Sequence, residues 1–227
     1  MTTIKLTERT LSILKNFHEI NKSMVFNPGN KIDTIADTRK ILASAVIEQE
    51  FTSSFGIYEL SRFFGAISLF SDPEITIEKT SLNIHEGTKI LRYSIADPRD
   101  VRPPMKNTFT KLPSVDASFT LTDKMTRDVI KAAGVLAQPD IVFEGDGHKI
   151  TISTSNIEKP SREGYSEDVG SFTGGESPFK LNMKVDNLKL FRDDYIISLC
   201  FAMKIAQFEG KNVNYFIAAE SSSVVPQ

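Results

Sequence analysis

The sequence has 227 residues, of which 40% are hydrophobic and 25% are charged, and these ordinary globular values argue against extended disorder. Its charge is nearly balanced, with 27 Lys and Arg against 29 Asp and Glu, and its single cysteine, Cys200, cannot form an internal disulfide. No apolar run approaches the about 18 residues of a membrane span, and the first residues, "MTTIKLTERT", lack the apolar region of a signal segment. These features predict an intracellular protein without membrane contact.

The first half begins with a predicted helix. Thr7 or Glu8 is a capping residue, and apolar residues such as Ile13 and Phe17 follow at helical spacing. Strand patterns occupy "MVFNPGNKIDTI" and "KILASAVIEQEF", and "GIYELSRFFGAISLF" (Gly56 to Phe70) returns to helical spacing. Three more strands are predicted in "EITIEK", "SLNIHEG" and "KILRYSIA".

The second half repeats this order after a connector at about 97–113, which contains four prolines. The predicted elements are a strand "VDASFTL", a helix "TDKMTRDVIKAAGVLA", a hairpin "DIVFEGDGHKITISTSN", a strand "SPFKLNMKV", a short helix "DNLKLF" and three strands in "YIISLCFAM", "KIAQFE" and "VNYFIAA". The tail "SSSVVPQ" is expected to fray.

This order predicts an α+β fold with two similar domains, residues 1–108 and 109–227. Each domain is expected to have antiparallel sheets with two helices on one face. The halves share no detectable sequence identity, so the predicted repeat is one of architecture only.

Residue patterns that carry catalysis or bind metals are not found in the sequence. His18, His85 and His148 are scattered without a second ligand at metal-binding spacing. The paired glycines in "FTGGES" are not followed by the Lys-Ser/Thr of a phosphate loop. We therefore expect no enzyme activity, no catalytic residue, no metal and no cofactor.

Cations collect on the polar sides of the predicted helices. At about 100° per residue, Lys124, Arg127 and Lys131 fall on one side of the third helix. The opposite side carries Met125, Val129, Ala132, Ala133 and Leu136. The other helices add Arg9, Lys15, Lys22, Arg62, Lys189 and Arg192.

Two interpretations of these cations are open. Lys and Arg are good helix formers on any solvated face, and this explains each helix taken alone. Cations on every helix of a mildly acidic protein instead indicate weak contact with a polyanion such as a nucleic acid. The attraction between cationic side chains and phosphates does not depend on the nucleotide sequence. Acidic residues on the same helices reduce the net positive charge, so tight binding is not expected.

The chain resembles the sliding clamps, or DNA polymerase processivity factors, of T-even-type bacteriophages. The resemblance lies in "LKNFHEIN", "IYELSRFFGAISL", "ADP", "NLKL" and "FEGKNVNYFIAAES", which occur in family order over essentially the full length. It implies three chains closed head to tail into a ring of six domains, with helices lining a hole through which duplex DNA passes.

The resemblance also implies partners and site residues. A clamp loader opens the ring, the carboxy-terminal peptide of DNA polymerase docks on it, and factors of late transcription use it. Lys15 and Lys189 lie inside matching stretches and take the DNA-facing role from the family, whereas Lys124, Arg127 and Lys131 depend on the helical wheel alone. The expected partner pocket comprises Val101, Pro104, Met105, Ile217 and Ala219, although these residues could instead close a core.

The subunit interface of such a ring requires edge strands at opposite ends of the chain. The candidates are "KILRYSIA" in the first domain and the segment near "GYSEDVGSF" in the second. Two other classes of protein stay open: a phage structural or assembly oligomer that does not encircle DNA, and an enzyme.

Overall fold

The computed structural model describes residues 2–101 and 111–226. The chain divides into two compact units, Met1–Thr108 and Phe109–Gln227, which we call unit 1 and unit 2. No helix in the described part of the chain has the length and apolar character needed to span a membrane.

Unit 1 is built from antiparallel strands and two α-helices. Its described elements are β1 (Thr2–Ile4), α1 (Glu8–Ile20), β2 (Met24–Phe26), β3 (Gly29–Ile35), β4 (Ile41–Phe51), β5 (Phe55–Ile57), α2 (Leu60–Ile67), β6 (Glu74–Ile77), β7 (Ser81–Glu86) and β8 (Lys89–Ser94). One sheet has the order β1-β6-β7-β8, so β8 is its edge strand. β3 pairs with β4, and β2 pairs with β5.

Unit 2 has one α-helix, one 3-10 turn and nine strands among its described residues. They are β9 (Ala117–Leu121), α3 (Asp123–Val135), β10 (Asp140–Gly145), β11 (Ile150–Ser155), β12 (Ser166–Asp168), β13 (Phe172–Gly174), β14 (Phe179–Lys184), the 3-10 turn Val185–Asn187, β15 (Tyr195–Cys200), β16 (Ile205–Gly210) and β17 (Val213–Ala218). One sheet has the order β12-β11-β10-β14, and β13, β9, β15, β16 and β17 are hydrogen-bonded in that order.

Strand pairing shows the same topology in both units. In unit 1 the strand before the first helix, β1, pairs with β6, and β7 and β8 follow. In unit 2 the strand before α3, β9, pairs with β15, and β16 and β17 follow. The two-domain α+β fold expected from the order of elements is confirmed.

The first helix of each unit begins at a threonine cap. The Oγ1 atoms of Thr7 and Thr122 each accept a hydrogen bond of 3.2 Å, from the backbone N–H of Thr10 and Met125 respectively. Each bond satisfies one of the amides that the first helical turn leaves without an intrahelical partner. The same local chemistry therefore starts both helices.

The core of unit 1 lies between α1 and the strands. Ile13, Leu14 and Phe17 of α1 are completely buried. Phe26, Phe51 and Phe55 form an aromatic cluster with ring centroids 4.8 to 5.6 Å apart. Burying each such side chain contributes about 1.5–3 kcal/mol, so this apolar layer holds α1 with its polar side outward.

Aromatic rings also form the core of unit 2. Phe143 lies 5.4 Å from Phe119 and 6.3 Å from Phe208 between ring centroids. Tyr195 and Tyr215 are buried, and the hydroxyl of each forms a hydrogen bond with the backbone of Phe191. The Phe191 N–H donates to the Tyr215 hydroxyl over 2.8 Å, and the Tyr195 hydroxyl donates to the Phe191 carbonyl. Buried hydroxyls need such partners, so the two tyrosines fix the chain at Phe191.

Two predicted helices differ from the structure because tertiary hydrogen bonds intervene. The helix expected from Gly56 begins at Leu60, since Gly56 lies in β5 and exchanges two backbone hydrogen bonds of 2.8 and 2.9 Å with Ala96. The helix expected in "DNLKLF" is only the 3-10 turn Val185–Asn187. The tyrosine contacts at Phe191 hold the following residues in a non-helical path.

The expectation that the tail frays is wrong for Ser222 to Val224. Val224 exchanges two backbone hydrogen bonds of 2.6 and 2.8 Å with Lys180 of β14. Ser223 is buried and accepts the backbone N–H of Asn182 over 2.9 Å. The tail therefore extends the edge of the β12-β11-β10-β14 sheet. Sequence patterns missed the short strand β1, whereas β12 lies in the segment near "GYSEDVGSF" that was named as a candidate edge strand.

Candidate nucleic-acid interface

The exposed face of α3 carries three cations. Lys124, Arg127 and Lys131 are all solvent-exposed, as the helical wheel predicts. The buried face differs from the wheel, because it consists of Thr126, Val129 and Ala133. The Thr126 hydroxyl donates to the carbonyl of Thr122 over 3.1 Å, and a hydroxyl satisfied within its own helix can be buried. The predicted buried residues Met125, Ala132 and Leu136 are only half-buried.

Two of the three α3 cations are paired with acids on the same helix. The Lys124 Nζ lies 2.6 Å from Asp128 Oδ2, and an Arg127 Nη2 lies 3.0 Å from Asp123 Oδ2. The hydrogen bond that Lys124 donates lowers the pKa of Asp128 and raises that of Lys124. Lys124 and Asp128 are therefore both charged at neutral pH.

The cations of α1 have different surroundings. Arg9 turns toward β4, where its Nη1 lies 2.7 Å from Glu48 Oε1 and its Nη2 donates to the carbonyl of Val46 over 3.3 Å. Lys15 is exposed in the middle of the helix. Lys22 is exposed but follows the C-cap Asn21, so it is not on the helix. Lys15 is thus the α1 cation best placed to meet a ligand in solvent.

The remaining predicted cations are less uniform. Arg62 is exposed on α2 and lies 3.9 Å from Glu59. Lys189 is half-buried and Arg192 is exposed, and both follow the 3-10 turn. The expectation that these two residues lie on a helix is wrong, because the chain there is not helical.

Two edge strands carry opposite charges. β8 of unit 1 includes Lys89 and Arg92, and its Ile90 is 73% exposed. β12 of unit 2 includes Glu167 and Asp168 and ends the β12-β11-β10-β14 sheet. Beside it, the Tyr165 hydroxyl donates to Glu167 over 2.6 Å, and this hydrogen bond raises the pKa of Tyr165 to about 12. Edge strands keep unpaired backbone groups, so both can pair with another chain.

The residues expected to form a partner pocket divide between core and surface. Val101 is buried in unit 1 against Gly56, and Ile217 is completely buried in unit 2, so these two side chains have core positions. Ala219 is half-buried. Pro104 and Met105 lie outside the described residues.

The sequence analysis did not predict that Glu48 contacts Arg9, and it treated Asp123 and Asp128 only as acids that reduce the positive charge of α3. Asp123 and Asp128 stand four residues from Arg127 and Lys124, and this spacing is itself a sequence signal for helical ion pairs. Glu48 is 39 residues from Arg9, and only the fold brings the two together. In the described part of the chain, no three His, Cys, Asp or Glu side chains are grouped as a metal site requires.

Comparison with known proteins identifies the family. The family model described as "gp45 sliding clamp, C terminal" matches residues 118–221. The sliding clamp of Vibrio phage KVP40 is 30% identical over 223 residues, covering 96% of this chain and all of the relative. The sliding clamp of Enterobacteria phage T4 is 28% identical over 227 residues, covering 97% of this chain and 98% of the relative.

Solved structures show the same fold at lower identity. A. fulgidus PCNA, bound to the C-terminal region of FEN-1, matches all of this chain with a TM-score of 0.73 and 15% identity, over 100% of its own length. DNA polymerase III subunit beta from Borrelia burgdorferi has a TM-score of 0.69 and 8% identity, covering 98% of this chain and 65% of its own. Full-length similarity in sequence and fold places the chain in the sliding-clamp family, the processivity clamps of DNA polymerase.

Proposed function

We propose that three copies of this chain close head to tail into a ring that encircles duplex DNA and tethers the replicative polymerase. The observation that carries the proposal is the exposed face of α3, on which three cations alternate with two acids. In the ring, this face and the exposed face of α1 turn toward the DNA. The proposal assigns no catalytic step to the chain.

Weak attraction is the physical requirement of such a ring. A closed ring stays on DNA by topology, so its inner surface needs only contacts that do not depend on sequence and break easily. Exposed lysines such as Lys15 and Lys131 supply contacts of this kind, because a mobile ammonium group reaches phosphates at many positions. The many acids elsewhere on the chain discourage DNA from binding the outer surface.

The edge strands β8 and β12 support the head-to-tail closure. Lys89 and Arg92 on one copy can face Glu167 and Asp168 on the next, while the two strands add backbone hydrogen bonds. Such a contact joins different surfaces of identical chains, and it closes only when rotation returns the last copy to the first. Burial of the exposed Ile90 in the contact would add hydrophobic stabilisation.

Several protein partners follow from this function. They are the carboxy-terminal peptide of the DNA polymerase, a clamp loader that opens the ring, and factors of late transcription, all acting in the cytoplasm of the infected host. Ala219, Pro104 and Met105 are the proposed contacts for the polymerase peptide. The side chains of Val101 and Ile217, also expected in this pocket, are buried, each within its own unit.

Retention on DNA of different topology tests the proposal. The clamp, loaded by its loader and ATP, should stay on circular duplex DNA and be lost rapidly from the same DNA after linearisation. The variant K15E/K131E should keep its fold and its oligomeric state but lose loading or retention. An oligomer that binds circular and linear DNA equally would overturn the proposal and favour an assembly protein.

A further inference from the structure

Most cations on the α-helices have an acidic neighbour. Six cations lie within α1, α2 and α3, and four of them are within 4.0 Å of a carboxylate in the described structure. The pairs are Arg9–Glu48, Arg62–Glu59, Lys124–Asp128 and Arg127–Asp123. Lys15 and Lys131 have no carboxylate at that distance among the described residues. One mid-helix lysine on each of α1 and α3 therefore lies outside direct ion-pair distance, although the charge of Asp128 still acts on Lys131 from farther away.

The two pairs of α3 are built into the helix. Residues four apart lie on the same face of a helix, so each acid stays near its cation without help from the rest of the fold. The cations remain accessible, since the side chains of Lys124 and Arg127 are 77% and 53% exposed. They can therefore meet phosphate, but with a carboxylate beside them.

An acid at this distance weakens the pull of a cation on a more distant phosphate. A pair of opposite charges acts as a dipole, whose field declines faster with distance than the field of a single charge, and salt screens the remainder over about 10 Å at 0.1 M. Three cations and two acids leave α3 with a net charge of +1. At distances larger than the ion pairs, the net charge of the helix therefore acts on DNA like that of a single lysine.

We propose that Asp123 and Asp128 limit the attraction of α3 for the DNA backbone and thereby keep the clamp mobile. This inference rests on the proposed function, which places α3 beside the DNA. In this arrangement Lys131 makes the main phosphate contact of α3. Lys124 and Arg127 contribute fully only when their acids are removed.

The variant D123N/D128N tests the inference by removing both acids while keeping side chains of the same shape. Asparagine retains the polar character of the first helical turn, and the Asp123 backbone N–H can still donate to Asp194 Oδ1, a bond of 2.7 Å. Affinity for linear duplex DNA is measured at low and moderate salt. Each of the two released cations should steepen the slope of log affinity against log salt concentration by about 0.9. The factor by which affinity falls between 50 and 200 mM salt should therefore become about ten times larger than in the wild type. Diffusion of the loaded clamp on circular DNA should slow.

A matched control separates local pairing from net charge. E176Q/E209Q removes two acids from exposed positions of the same unit, and neither acid belongs to an ion pair among the described residues. The control should leave both the salt dependence and the diffusion of the wild type unchanged. An equal gain in DNA affinity for both double variants would overturn the inference, because net charge alone would then explain the effect.

Single lysine variants give a second readout. In the wild-type background, K131Q should reduce DNA affinity more than K124Q does. In the D123N/D128N background the two losses should become equal, and unequal losses there would contradict the proposed role of the acids. The wild type tests the proposed function separately. If the wild-type clamp is lost from linear but not from circular DNA, and D123N/D128N behaves like the control double variant, the inference fails while the proposed function stands.

Discussion

Oδ1 of Asp140 lies 2.7 Å from Nζ of Lys184, and the Asp140 carboxylate is completely buried in unit 2. Its Oδ2 accepts the backbone N–H of Ile157 over 3.1 Å. The hydrogen bond that Lys184 donates raises the pKa of Lys184, so the lysine stays charged. The ion pair joins the start of β10 to the end of β14, and the hydrogen bond from Ile157 joins the same carboxylate to the segment after β11.

Removal of the Lys184 ammonium should destabilise the protein strongly. The variant K184M leaves a buried carboxylate without its counter-ion, which should lower the free energy of unfolding by about 3 kcal/mol. Urea unfolding monitored by circular dichroism measures the loss. K180M is a matched control on the same strand, because Lys180 and its partner Glu144 are 44% and 53% exposed, and it should lose less than about 1 kcal/mol. Equal losses in the two variants would contradict the special role of the buried pair.

The threonine cap of α3 should contribute measurably to stability. T122A removes the acceptor for the Met125 amide and should lower the free energy of unfolding by about 1 kcal/mol. T122S keeps a hydroxyl at the same position and should retain most of that stability. T120A, at an exposed position on β9, controls for loss of a threonine and should change stability by less than about 0.5 kcal/mol. The prediction fails if T122A is no less stable than T120A.

Acid should weaken the contact between α1 and β4 through Glu48. Hydrogen bonds from Arg9 first, and also from Thr10 and Thr7, lower the Glu48 pKa from 4.5 to about 2. Because the folded pKa is the lower one, the stabilisation is complete above the unfolded pKa and is lost as the pH falls from about 5 toward 2. Since the side chain is 44% exposed, its contribution is expected to be only about 1 kcal/mol.

The variant E48Q measures this contribution. The difference in unfolding free energy between wild type and E48Q should be largest at neutral pH and shrink as the pH falls through this range. E50Q, at another exposed position of β4, controls for loss of an acidic residue on that strand. A difference for E48Q that is constant between about pH 7 and pH 3 would contradict the assignment.

Exchange of charge between β8 and β12 should control assembly of the ring. K89E/R92E places four acids at the proposed contact, so the species of about three times 25.3 kDa should dissociate in sedimentation experiments. The variant K89E/R92E/E167K/D168K restores opposite charges in exchanged positions and should recover that mass. Assembly that tolerates K89E/R92E, or that the fourfold exchange does not recover, would exclude the β8–β12 contact.

Local pattern sufficed for much of the fold. Helical spacing located α1 and α3, with Thr7 or Glu8 as the capping residue of α1, and turn residues located the β10–β11 hairpin. In that turn, Asp146 Oδ1 accepts the backbone N–H groups of His148 and Lys149, and Gly147 has a φ of +91°. These features depend on residues close in sequence, so the sequence alone determined them. The alternation of charge on α3 also follows from spacing alone.

Contacts between distant residues decided the rest. Bonds to Ala96 keep Gly56 in a strand, Tyr195 and Tyr215 hold the chain after the 3-10 turn out of a helix, and pairing with Lys180 orders Val224. The same holds for the candidate site, where Arg9 is directed to Glu48 by the packing of α1 on β4. The sequence by itself determined where α1 and α3 start and which of their sides are charged, because those properties arise within one or two turns. Only the tertiary structure decided that Arg9 meets Glu48, because a partner many residues away in the chain becomes a neighbour through folding alone.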